Sequence, residues 1–166
     1  MNKSILKLAI PNIISNITVP LLGLVDMSLM GHLNSTAYIG AIALGGTIFS
    51  VLYSFFSFLR AGTTGFTAQS YGNNDKTETI YSLYRSISIG IPIIVLILSL
   101  QTPIAKLSKI LLNGSDDVIS LALTYFYIRI WGAPANILLY CLNGWFVGMQ
   151  NTKAPMIIAI LINVTN

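Results

Sequence analysis

An all-α, polytopic membrane helix bundle is the fold this sequence predicts, and three observations predict it. Only 8% of the residues are charged while 54% are hydrophobic. A soluble domain carries about 25% charged residues, so this chain lacks the means to cover a water-facing surface. Mean hydropathy is +0.75. The apolar residues gather into runs of the roughly 20 residues that a bilayer-spanning helix needs, separated by short polar turns. The net charge of +4, nine Lys and Arg against five Asp and Glu, is scattered along the chain. That pattern speaks for membrane orientation and against nucleic acid, which requires a clustered basic face. The single Cys141 has no partner for an intrachain disulfide. Lys3 and Lys7 precede an apolar run with no small-residue cleavage site after it, so the first segment reads as a span that stays.

Five transmembrane helices follow in order, the fifth incomplete. The first covers residues 8–31 and is interrupted by Pro11, Pro20 and Asp26. After the turn "HLNST", a second helix runs over 38–70. "YGNNDKTE" clusters Gly, Asn and charge as a loop does, and residues 80–100 form the third span. "TPIAKLSKILLNGSDD" differs in kind. Lys106 and Lys109 stand three apart among apolar neighbours, the pattern of a short helix lying in the interface. The fourth helix, 117–149, is about 48 Å long at 1.5 Å per residue, too long for one perpendicular span and too short for two. We read it as one span bent at "WGAP", where Gly132 and Pro134 loosen the backbone hydrogen bonding. "QNTKAP" is a loop, and Pro155 opens a fifth helix, 155–166, too short to cross a bilayer. The expectation is therefore an N-terminal piece of something larger. With the N terminus in the cytoplasm, Lys3, Lys7, Lys76, Arg85 and Lys153 fall inside, and Lys106 and Lys109 outside. The positive-inside rule supports that orientation.

Asp26 is the residue such a chain must explain, because a charge in hydrocarbon costs at least about 2.5 kcal/mol. It lies about 27 Å along the first helix. Helical spacing puts Asn12, Asn16, Gly23 and Asp26 on one stripe, which faces protein or a water-filled cavity. Pro20 removes the hydrogen bond to the Asn16 carbonyl and leaves a weak point near the acid. Two readings stand: a carboxyl that takes and releases a coupling cation while the helix bends, or a buried Asp paired with Arg129. Arg129, about 18 Å deep on a straight helix, is either that pair's other half or a cavity wall. Arg60 reads as a snorkelling end-of-span residue. The tyrosines at 81, 84, 125 and 127 suit interfacial anchoring. Asn136 and Asn143 suit hydrogen bonding between helices. His32 has no second metal ligand beside it.

Enzyme motifs are missing: no phosphate-binding glycine loop, no His–Glu zinc pair, no Cys pair. Asp75, Glu78, Asp116 and Asp117 all fall in loops, so an intramembrane aspartyl protease would lack its second acid. The sequence thus predicts no catalytic residues, no metal and no cofactor.

Several stretches also occur together in a telling order: "AIPNI" and "LVDMSLMGHL" in the first helix, "AIALGGTIFS" and "RAGTTGFTAQSYGNND" in the second, "NGWFVGMQNTKAPM" closing the fourth, and "INVTN" in the fifth. In this order they resemble the multidrug and toxic compound extrusion (MATE) transporters, most closely the DinF-like (DNA-damage-inducible F) branch. The resemblance covers essentially the whole chain. It implies twelve helices in two lobes of six, and efflux of drugs or amphiphilic organic compounds coupled to a cation, with H+ expected ahead of Na+. It places Asp26 at the first-helix acid proposed as the protonation site, Pro11 at the first-helix proline where bending is proposed, and Asn163 and Asn166 at the paired asparagines of helix five. It implies the inner membrane as location, with the bilayer, small organic substrates and a C-terminal lobe as partners. A lipid-linked oligosaccharide flippase of the same superfamily, or a non-transporting scaffold or truncated remnant, are the alternatives.

Overall fold

The computed structural model describes residues 9–11, 13 and 36–165. Residues 9–11 and 13 are helical. From there the described chain is all helix and turn: α1 (Thr36–Phe55), α2 (Ser57–Gly72), α3 (Lys76–Ser99), α4 (Gln101–Leu111), α5 (Asp116–Arg129), α6 (Ala133–Gly148) and α7 (Lys153–Thr165), with a 3₁₀ turn over Ile130–Gly132. Among the described residues, Ala37–Gly72, Lys76–Ser99 and Asp116–Gly148 are long and apolar enough to cross a membrane.

Local chemistry explains where the helices break. The sequence reading runs one helix over 38–70, whereas the structure divides it at Phe56. Ser54 donates to the Ser50 carbonyl (2.7 Å) and Ser57 to the Ser54 carbonyl (2.8 Å), diverting the ladder at the end of α1. The backbone responds with tight bonds three residues apart, Phe56 N–H to Tyr53 O and Leu59 N–H to Phe56 O. The break expected at "WGAP" has a separate cause. Pro134 offers no N–H to the Ile130 carbonyl, which Ala133 N–H takes instead, closing a 3₁₀ turn. α3 begins at Lys76 because Asp75 caps it, its carboxylate accepting from Glu78 N–H at 2.9 Å. Asn74 and Gln150 have φ of 56° and 59°. Each ends its helix in a left-handed turn whose next N–H reaches back five residues, Asp75 to Ser70 and Asn151 to Phe146.

The packing divides the bundle into two halves. α1 lies along α5 and α2 along α6, and the two rods run parallel, since contacts climb together from Phe49 on Phe126 to Thr67 near Gly148. α3 runs back along both α2 and α6. Where α1 meets α5 the core is apolar and aromatic, with Ile48, Phe49, Phe126 and Ile130 buried. Where α2, α3 and α6 meet, Leu59, Ile137 and Cys141 close around Gly90, and nearer the 73–75 turn the contact is made of small residues: Thr63, Thr67 and Ser70, Thr79, Ser82 and Ser86, Gly144 and Gly148. A Cβ on Gly144 would stand 2.7 Å from the Arg60 carbonyl oxygen, and one on Gly148 2.6 Å from Thr67 Cβ. Their absence lets the two backbones touch, the small-xxx-small geometry of membrane helices. Most of the hydroxyls bond to carbonyls of their own helices, while Thr67 Oγ1 is buried without a described partner. Thr63 donates to Leu59 O and pairs with Ser86 Oγ, both at 2.6 Å, and Ser82 donates to Glu78 O at 2.9 Å.

α4 follows α3 through the single residue Leu100 and packs back on α5. It exposes Leu107, Ile110 and Leu111. Ala105 is buried and Lys106 and Lys109 are exposed, which leaves a separate apolar face and charged face.

Candidate functional site

The described part of the site is built on Arg129. This residue ends α5, just before the 3₁₀ turn, and faces α1. Its guanidinium lies 5.0 Å from the centroid of the Phe49 ring and 5.4 Å from that of Tyr125, and its Nη1 donates to the Tyr125 hydroxyl. Spacing of four along the helix brings Tyr125 and Arg129 together. The ring faces hold the cation through their quadrupoles, for about 0.5–1 kcal/mol at an exposed site. Among the described residues the one ion pair is Arg85 with Glu78, so no described carboxylate faces Arg129.

The rings around it are themselves ordered. Phe49 stacks on Phe126 (5.4 Å between centroids) and on Tyr53 (5.8 Å), and Tyr140 meets Tyr53 edge-on at 6.5 Å. Asn136 joins the series, its Nδ2 donating to the Tyr53 hydroxyl at 3.4 Å and to the Gly132 carbonyl at 3.2 Å. One amide thus stabilises the loosened turn and links α6 to α1. The result is an aromatic cluster carrying the Arg129 cation, the Asn136 amide and three phenols, those of Tyr53, Tyr125 and Tyr140. Phe49 and Phe126 are buried, so their faces are taken up by one another, by Tyr53 and by the Arg129 guanidinium. Among the described residues no group of three or more His, Cys, Asp or Glu side chains is placed to hold a metal.

The other expected site residues distribute as follows. Asp26, Asn12, Asn16, Pro20 and Asn166 lie outside the described residues. Pro11 is buried within the short helical stretch. Asn163 is half-buried on α7, which packs on α6, and its Nδ2 has no partner among the described residues. It takes no part in the Arg129 cluster.

Two sequence readings gain detail. Tyr125, read as an interfacial anchor, is half-buried, packs edge-on against Phe49 and holds Arg129. Asn143 Oδ1 is buried without a described partner, whereas Asn136 makes the interhelical bond expected of it. Two further features were missed. Trp145 Nε1–H donates to the Thr79 carbonyl at 2.8 Å, tying α6 to the start of α3. The "GWFVG" spacing that seats α6 on α2 was a signal available in the sequence.

Parallel and antiparallel apolar rods, small-residue contacts and an aromatic cluster between them define a multi-pass α-helical membrane protein. The chain belongs to the MatE family, whose model matches residues 11–166. It is 40% identical to DNA damage-inducible protein F of Escherichia coli K12, covering 99% of this chain and 36% of that protein. It is 27% identical to Protein DETOXIFICATION 44, chloroplastic, of Arabidopsis thaliana, over 98% of this chain and 33% of that one. It is 26% identical to Multidrug resistance protein MdtK of Edwardsiella ictaluri, over 98% of this chain and 36% of that one. The chain therefore spans about a third of the length of the curated relatives it matches. No solved structure is significantly similar to it.

Proposed function

We propose that this chain forms part of a secondary active transporter, a cation-coupled antiporter that exports drugs or other amphiphilic organic compounds across the inner membrane. The observation that carries the reading is the MatE match along residues 11–166. Relatives named for multidrug resistance support the substrate class. A flippase for lipid-linked oligosaccharides would be expected to line its cavity with several Arg and Lys. Among the described residues Arg129 is instead held against two rings, which leaves it less free to meet an anionic headgroup.

In this reading Asp26 is the coupling residue, H+ is the coupling ion, and Asn12 and Asn16 share its polar stripe. Pro11 and Pro20 let the first helix bend, and Asn163 and Asn166 contribute amides from the fifth. The N terminus is cytoplasmic, and the chain works with a second lobe of a twelve-helix transporter. The test is expression of the full-length protein in an efflux-deficient cell. Tolerance to cationic and amphiphilic compounds should rise, and Asp26→Ala should abolish the gain at equal membrane abundance. Unchanged tolerance in Asp26→Ala would remove Asp26 from the coupling step.

A further inference from the structure

A cleft of about 260 Å³ opens between α2 and α3, lined by none of the residues around Arg129. Phe58, Phe66 and Ile89 form its walls and are all more than half exposed. Gly62 gives it depth, with open space where a Cβ would project. The hydroxyls along its floor are already committed: Thr63 to Leu59 O and Ser86, and Ser82 to Glu78 O. The interior therefore offers an occupant apolar contact alone. Polar recognition is confined to the rim, where Arg85 lines the cleft and pairs with Glu78 two turns earlier on α3. Both side chains are largely exposed, at 64% and 41%.

An apolar slot in a membrane protein, with one cation and one anion side by side at its mouth, matches a zwitterionic phospholipid. We propose that this cleft binds a phosphatidylethanolamine. Its phosphate accepts from the Arg85 guanidinium, its ammonium donates to the Glu78 carboxylate, and one acyl chain lies along Phe58, Phe66 and Ile89. Charge complementarity selects the headgroup. Arg85 binds phosphate through its planar donors. Glu78 is an acceptor that an ammonium satisfies and a quaternary choline, lacking N–H, does not. The inference rests on the chain lying in a membrane and not on what it transports.

The experiment is native mass spectrometry of the full-length protein in detergent, titrated separately with dioleoyl phosphatidylethanolamine, phosphatidylcholine and phosphatidylglycerol. Wild type should retain phosphatidylethanolamine above the other two. Gly62→Leu fills the slot from a position that meets no neighbour, so the fold is preserved, and it should lower that occupancy about threefold to tenfold. Glu78→Gln keeps the helix cap, which uses its backbone N–H, and should abolish the preference over phosphatidylcholine. Arg85→Gln should weaken all three lipids. Equal retention of phosphatidylethanolamine and phosphatidylcholine by wild type overturns the proposal. So does Gly62→Leu with wild-type occupancy, including the case where that variant impairs export, which would assign the cleft to the exported compound.

Discussion

Adding one methyl group to Gly148 and one to Gly65 should move stability in opposite directions, although both glycines are helical. At Gly148 the new carbon would stand 2.6 Å from Thr67 Cβ, 2.9 Å from the Thr64 carbonyl oxygen and 3.0 Å from Thr67 Cγ2. Carbon atoms rest at about 3.5 Å or more, so α2 and α6 must separate by roughly half an ångström or more. Two of the three obstacles are a backbone oxygen and a β-carbon, neither of which a rotamer change can remove. Overpacking of this kind costs about 1–3 kcal/mol. Against it stands about 1 kcal/mol of improved helix propensity. At Gly65 nothing lies within 4 Å, so the propensity gain stands alone. The two variants should therefore differ by about 1–3 kcal/mol, or several degrees in melting temperature. Cys141 supplies the assay, since it is the single cysteine and fully buried beside Ser86. Its reaction with a thiol-specific fluorogenic maleimide on heating reports opening of the α3–α6 contact. If Gly148→Ala melts at or above Gly65→Ala, close backbone contact does not hold α2 to α6.

Two further outcomes follow from the same geometry. Trp145→Phe keeps an aromatic ring but removes the Nε1–H bond to the Thr79 carbonyl together with part of the indole's packing surface, and should cost at least about 1 kcal/mol in the same thiol assay; an unchanged melting point would refute a stabilising role for that bond. For topology, with Cys141 replaced by alanine, a cysteine at Asn73 should label only from the cytoplasm and one at Ser115 only from outside. Asn73 serves better than Asn74, whose φ of 56° disfavours a cysteine. The reverse labelling pattern would overturn the N-in orientation.

What the sequence determined by itself follows from the solvent it is built for. In a bilayer every backbone polar group must be satisfied within its own segment, so long apolar runs can only be helices, and their lengths decide which ones span. The bend at Gly132–Pro134 was equally legible, because a missing N–H acts on its own helix whatever surrounds it. Arg129 could be singled out for the same reason: a charge in a span demands a partner wherever the span lies. Its partners could not be named. Phe49 is 80 residues away on α1, and only the parallel alignment of the two rods brings its ring beneath the guanidinium. The break at Phe56 depends on which serine hydroxyls turn back onto the backbone, a choice open to each serine until packing settles it. The seat of α6 on α2 is the clearest case. The small-residue spacing of "GWFVG" marks a face of α6 that can approach a neighbour closely, but not which helix it will meet. The tertiary structure decided it through Gly144 and Gly148, whose missing side chains allow a backbone contact that no larger residue permits.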